Sequence, residues 1–219
     1  RLIIAFIAVA IGFAAAYGFK EYLFEILVRP LKMVMAEGDT LIFTNLPEAF
    51  FTYLKVAFLT GIGLASPVLI YQFWMFVAPG LYDKEKRLLL PIVFLSTLFF
   101  VGGALFGYFI VFPYGFEFFL GFATETIRPM PSMKEYLSFA AKLLLAFGVV
   151  FELPLVITFL AKLGLVSVQF LKKNRKYALL LFFAGAAILT PPDVVTQIMM
   201  ALPLIVLYEI SILGARIFG

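Results

Sequence analysis

Six stretches of this chain run for about fifteen residues or more almost without a charge, and they limit what it can fold into. They are Leu2–Phe19, Val56–Tyr82, Leu88–Phe116, Leu143–Ala161, Tyr177–Pro192 and Val194–Tyr208, with Glu152 the one charge among them. A bilayer core of about 30 Å takes about 20 helical residues. Only helices and closed barrels satisfy every backbone polar group inside lipid. Barrel strands alternate over about ten residues, which these continuous runs do not do. The sequence therefore predicts an all-α, polytopic membrane protein. It forms one domain over residues 1–219, with six spans near 2–19, 56–79, 88–116, 138–163, 176–190 and 194–213. The last two are short for the bilayer, because only Asp193 and its prolines separate them.

Composition narrows the function. Hydrophobic residues make up 64% of the chain and charged residues 14%, with a mean hydropathy of +1.09. Soluble domains average about 45–50% and about 25%. Too little polar surface remains for a soluble enzyme or a disordered tail. The net charge of +4 is small and scattered, so no nucleic-acid partner is expected. With no His and no Cys, disulfides, thiolate nucleophiles and His-ligated metals are excluded. An intramembrane serine protease wants a Ser–His pair. An aspartyl type wants two intramembrane Asp, whereas Asp39, Asp83 and Asp193 fall in loops or at helix ends. Neither an enzyme nor a cofactor is expected. Leu2–Phe19 lacks the cleavage pattern of a signal peptide. Because the chain opens on Arg1 rather than Met, a native N-terminal segment is expected ahead of it.

Six spans place both termini on one side. Ten basic residues fall on that side and seven on the other. The terminus-side loops are short and strongly basic, as in Lys172-Lys173-Asn174-Arg175-Lys176. The opposite loops are longer and hold Glu21, Glu25, Glu37, Asp39, Glu48, Glu117, Glu125 and Glu135. The positive-inside rule then makes both termini cytoplasmic. Within the first external loop, Tyr22, Leu23, Ile26 and Leu27 suit a helix lying on the interface. Ser132-Met133-Lys134-Glu135 reads as a capping box, and Asn45-Leu46-Pro47-Glu48 resembles one. Thr190-Pro191-Pro192-Asp193 suggests a third cap, with Asp193 at the positive end of the helix dipole.

Glu152 is the residue that most invites a function. An ionised carboxylate at mid-depth costs about 2.5–3.5 kcal/mol on the insertion scale. Nothing cationic lies close, since Lys142 is ten residues back, about 15 Å along a helix. Two residues on, Pro154 cannot bond the Val150 carbonyl. One reading is a structural carboxyl bonded to Gln72 or a freed carbonyl; the other is a carboxyl facing a cavity, partner or transported species. The latter admits an ion-coupled secondary transporter as an alternative function. The mixed-charge loop Pro79–Arg87 is either a topology-setting loop or a docking site offering Asp83 or Glu85 to a basic ligand. Gly103 and Gly107 make a small-xxx-small match, read as close helix packing.

Three separated motifs resemble the TatC family, the large subunit of the twin-arginine protein translocase. The first is Tyr71-Gln72-Phe73-Trp74-Met75-Phe76-Val77-Ala78-Pro79-Gly80-Leu81-Tyr82 followed by Glu85. The second is Phe147-Gly148-Val149-Val150-Phe151-Glu152-Leu153-Pro154. The third is Leu189-Thr190-Pro191-Pro192-Asp193-Val194 with Gln197. Arg29-Pro30-Leu31 also matches the family's first external loop. The resemblance implies a core receptor subunit of a plasma-membrane translocase, bacterial or archaeal. It would bind twin-arginine signal peptides of folded cargo and assemble with TatA and TatB into an oligomeric complex driven by the proton-motive force. It further implies that Glu85 receives the signal arginines with Phe76 beside it. Glu152, with Pro154 and Gln72, would face a groove that meets partner helices. Pro191, Pro192, Asp193 and Gln197 would form the last external turn. Family members carry a second recognition glutamate in a cytoplasmic segment that would precede Arg1.

Overall fold

A computed structural model describes residues 1–35, 39–77, 89–124, 129–190 and 194–218. All six apolar stretches contain helix. The elements run α1 (Leu2–Tyr17), α2 (Lys20–Lys32), α3 (Glu48–Val77), α4 (Leu89–Phe106), a π-helical turn (Gly107–Val111) and α5 (Phe112–Leu120). Then come α6 (Met133–Phe151), α7 (Leu153–Lys162), α8 (Val168–Lys173), α9 (Arg175–Leu189) and α10 (Val194–Phe218). Four stretches are individually long and apolar enough to cross a membrane: Glu48–Phe76, Leu90–Leu120, Met133–Lys162 and Val194–Ile217. Helix α1 has 16 residues and α9 has 15. At 1.5 Å per residue α9 reaches about 22 Å, short of the core thickness. The expected shortness stops there, because α10 continues past Tyr208 to 25 residues.

The interfacial element is α2, which turns 88° from α1. It buries Leu27, Val28, Pro30 and Leu31 against the bundle, while Tyr22 stays exposed. Pro30 lies inside this helix and has no N–H for the Ile26 carbonyl. The Tyr108 hydroxyl donates to that carbonyl instead. The Tyr136 hydroxyl donates to the carbonyl of Leu27, the next residue. Two long-range bonds thus pin α2 across the ends of the spanning helices.

Polar caps join elements far apart in sequence. Glu48 Oε2 accepts from Thr44 N at 2.7 Å, Thr44 Oγ1 at 2.9 Å and Asn45 N at 3.3 Å. Its other oxygen accepts from Ser132 Oγ at 2.8 Å and Lys134 N at 3.0 Å. One carboxylate therefore closes the N-terminus of α3 and that of α6. Ser132 also accepts from Glu135 N, as its box predicts. Thr190 behaves differently from the expected cap of the last span. It is the C-cap of α9, and its hydroxyl donates back to Ala186 O at 2.9 Å.

Glycines set the closest helix contacts. Helix α1 packs on α3 where Gly12 meets Gly61, and a Cβ on Gly12 would lie 2.6 Å from the Gly61 carbonyl oxygen. Helix α4 packs on α6 at Gly103, where a Cβ would run into the Phe147 carbonyl oxygen. That agrees with close packing as the role of the Gly103/Gly107 pair. Proline also shapes this span. Pro113 lacks the N–H that the Phe109 carbonyl would use, and the π turn falls there.

Candidate functional site

Glu152 sits at the junction of α6 and α7, as the C-cap of one and the N-cap of the other. The cause is Pro154, which interrupts the helical ladder. The Glu152 N–H turns to Val149 O at 3.1 Å, and the ladder resumes with Val156 N on Glu152 O at 2.9 Å. The side chain is half-buried. Its hydrogen-bonding neighbour is Ser96 of α4, not Gln72. Ser96 is fully buried and also accepts from Trp74 Nε1 at 3.0 Å. A polar chain thus runs from the indole of α3 through the hydroxyl of α4 to the carboxyl between α6 and α7. Glu152 Oε1 is buried without a hydrogen-bond partner among the described residues. Such an orphan is costly unless something supplies a donor.

Ser96 and Trp74 escaped the reading of the sequence as members of this site. The signal for Trp74 was present: it is the only Trp, and a buried indole N–H wants an acceptor. Its ring packs edge-on to Phe159 of α7, centroids 4.8 Å apart, fixing the indole between α3 and α7. Ser96 carried no comparable signal, being one hydroxyl in an apolar run.

The other expected residues do not form one cluster. Gln72 and Phe76 share a face of α3 at i, i+4 spacing; Gln72 is half-buried and Phe76 is 76% exposed. Glu85 lies outside the described residues, as do Asp83, Pro191, Pro192 and Asp193. Gln197 is half-buried on α10, and its Nε2 donates to Phe183 O of α9 at 2.9 Å. Pro30 belongs to the α2 anchor described above. At the other ends of α9 and α10, Arg175 pairs with Glu209 at 2.6 Å, and the Tyr208 hydroxyl donates to Leu171 O at 3.0 Å. The first contact ties α9 to α10, and the second holds the short α8 against the last span.

No group of three or more acidic residues among the described residues is placed to hold a metal. What the arrangement offers is hydrogen bonding: an acceptor buried at mid-depth, an exposed aromatic on the adjoining helix, and apolar walls.

Apolar helices of spanning length, an interfacial helix and a carboxyl held inside the bundle define a polytopic, all-helical integral membrane protein. Residues 1–203 match the sequence profile of the Sec-independent protein translocase protein (TatC) family. The chain belongs to that family. It is 71% identical over 219 residues to the Sec-independent protein translocase protein TatC of Desulforapulum autotrophicum, covering 100% of this chain and 81% of that one. It is 49% identical over 217 residues to the TatC protein of Magnetococcus marinus, covering 99% and 80%. A crystal structure of the twin arginine translocase receptor TatC superimposes with a TM-score of 0.90. That protein is 43% identical, with 100% of this chain and 96% of that chain covered.

Proposed function

We propose that this protein is the receptor subunit of a twin-arginine translocase. It binds the signal peptides of folded cargo and recruits single-span TatA- and TatB-type partners for export driven by the proton-motive force. The observation that carries the reading is the superposition of the whole chain on a twin arginine translocase receptor at 43% identity. Glu85 is the acceptor of the signal arginines, and Phe76 is the exposed aromatic beside it. The choice of a carboxylate follows from arginine chemistry, since the planar guanidinium takes carboxylates in a bidentate way. The buried orphan oxygen of Glu152 marks the face that a partner helix meets. Family membership removes the motive for an ion-coupled transporter.

Both termini lie in the cytoplasm, on the side of Lys172–Lys176. The chain has no Cys, so single cysteines report sidedness cleanly. Asp39→Cys is expected to react with an impermeant maleimide added outside intact cells. Lys173→Cys, at an exposed position of α8, is expected to stay unlabelled until the membrane is opened. The reverse pattern contradicts this orientation.

Export of a folded reporter behind a twin-arginine signal tests the role of Glu152. Glutamine keeps an acceptor for the Ser96 hydroxyl, whereas alanine leaves that buried group without one. Glu152→Gln is expected to export more reporter than Glu152→Ala, with both proteins at wild-type level in the membrane. Wild-type export by both variants would remove Glu152 from the mechanism.

A further inference from the structure

A groove between α4, α7 and α10 has a shape and charge that the receptor role does not use. Its walls are Leu95 and Phe99 of α4, Leu155 and Phe159 of α7, and Ile210 and Gly214 of α10, around a cavity of about 490 Å³. Thr158 also lines it, but its hydroxyl is already spent on Pro154 O at 2.6 Å. Among the described residues the one charged side chain on the wall is Lys162, the last residue of α7. Among the described residues Lys162 has no ion pair.

Beside that end lies a second hollow, about 560 Å³, lined by Ser167, Gln169, Lys172 and Arg216. The two cavities flank one seam: Ala161 lines one and Lys162 the other, as do Ala215 and Gly214. Among the described residues neither Lys172 nor Arg216 is paired. An apolar slot thus ends at Lys162, with Lys172 and Arg216 lining the hollow beside it.

Length decides between occupants. On α4 the groove runs from Pro91 to Phe99 and on α7 from Pro154 to Lys162, about eight helical rises each. That is about 12 Å of helix rise. One leaflet is about half of a 30 Å core, so the slot is one leaflet deep. A spanning partner helix would line about twice that length. A cavity of this volume is also in the range of small-molecule pockets, about 300–1,000 Å³.

We propose that this groove is a binding site for an anionic phospholipid, with an acyl chain along α4 and α7 and the phosphate at Lys162. Lys172 and Arg216 add positive charge where a negatively charged headgroup would extend, as basic pockets between membrane helices do for such lipids. Glu152 does not line this groove, and the lipid test below reads retention of a lipid rather than signal-peptide binding, so the proposal can fail without the receptor reading failing.

The test is native mass spectrometry of the full protein released from detergent after exchange into phosphatidylglycerol or phosphatidylcholine. Wild type is expected to retain one phosphatidylglycerol at least several-fold more than phosphatidylcholine. Lys162→Gln should lose that preference. Leu95→Trp, which fills the slot from a partly exposed position, should lose both lipids. Lys134→Gln, near the opposite end of the bundle, should bind as wild type. Thermal unfolding in detergent checks that each variant is folded. If Lys162→Gln and Leu95→Trp are folded and bind as wild type, or if the two lipids are retained equally, the proposal is wrong. A photo-crosslinker at position 95 that captures a partner helix and no lipid would also overturn it.

Discussion

Glu85→Gln is expected to weaken binding of a twin-arginine signal peptide about ten- to a hundredfold. A hydrogen bond to a charged partner contributes about 1.5–3 kcal/mol, and glutamine keeps the shape while removing the charge. The amount of protein in the membrane should not change, because the substitution falls in the charged stretch Asp83–Arg87 and touches no apolar run. Binding is read with a labelled signal peptide on membranes containing wild type or variant at matched levels. A twin-lysine peptide should bind weakly to both, since a point charge does not reproduce the bidentate fork. Equal binding of the arginine peptide by wild type and variant would remove Glu85 from the receptor site.

The second large effect concerns stability. Gly61→Ala is expected to destabilise the α1–α3 pair although alanine is the better helix former. The propensity gain is about 1 kcal/mol. Against it stands a Cβ that would lie 2.6 Å from Phe13 N and 2.9 Å from Phe13 Cα. Both atoms are backbone, so no side chain can swing away and the helices must separate. Overpacking of this kind costs about 1–3 kcal/mol. Gly63→Ala, on the same helix, adds a Cβ with nothing within 4 Å. It should be neutral or slightly stabilising. Thermal unfolding in detergent should rank Gly61→Ala below wild type and Gly63→Ala at or above it. Equal midpoints for the two variants would mean that the α1–α3 contact is not tight.

The contrast between those two glycines shows where sequence reasoning stops. Both sit in one apolar run, with nothing local to tell them apart; what separates them is α1, some fifty residues earlier in the chain. The apolar helices themselves were legible, because an uncharged run of that length has few other fates. Their ends were less so. Helix α3 begins at Glu48 rather than near residue 56, since Glu48 is consumed by caps and Lys55 can extend its head away from lipid. Local caps were also legible: Ser132 accepts from Glu135 N as its spacing predicts. The sharing of Glu48 between two helix starts was not, because Ser132 is 84 residues away.

The candidate site divides in the same way. Glu152 stood out as a lone acid in an apolar run, and Pro154 marked the helix break beside it. The partners that hold Glu152 did not, because Ser96 and Trp74 reach it only through the packing of α4 and α3. Pro30 was legible as part of a motif but not in its physics. Only the fold brings the Tyr108 hydroxyl to the carbonyl that this proline frees.

The central claim, that this protein receives twin-arginine signal peptides, is tested most directly by site-specific photo-crosslinking in native membranes. The crosslinker is placed in turn at Phe76, at Glu85 and at Phe109, an exposed residue of the π turn far along the bundle from Phe76. A twin-arginine precursor should crosslink at positions 76 and 85 and not at 109. The crosslinks should vanish when the two arginines are replaced by lysines. Equal capture of the arginine and lysine precursors, or capture at 109 alone, would contradict the account.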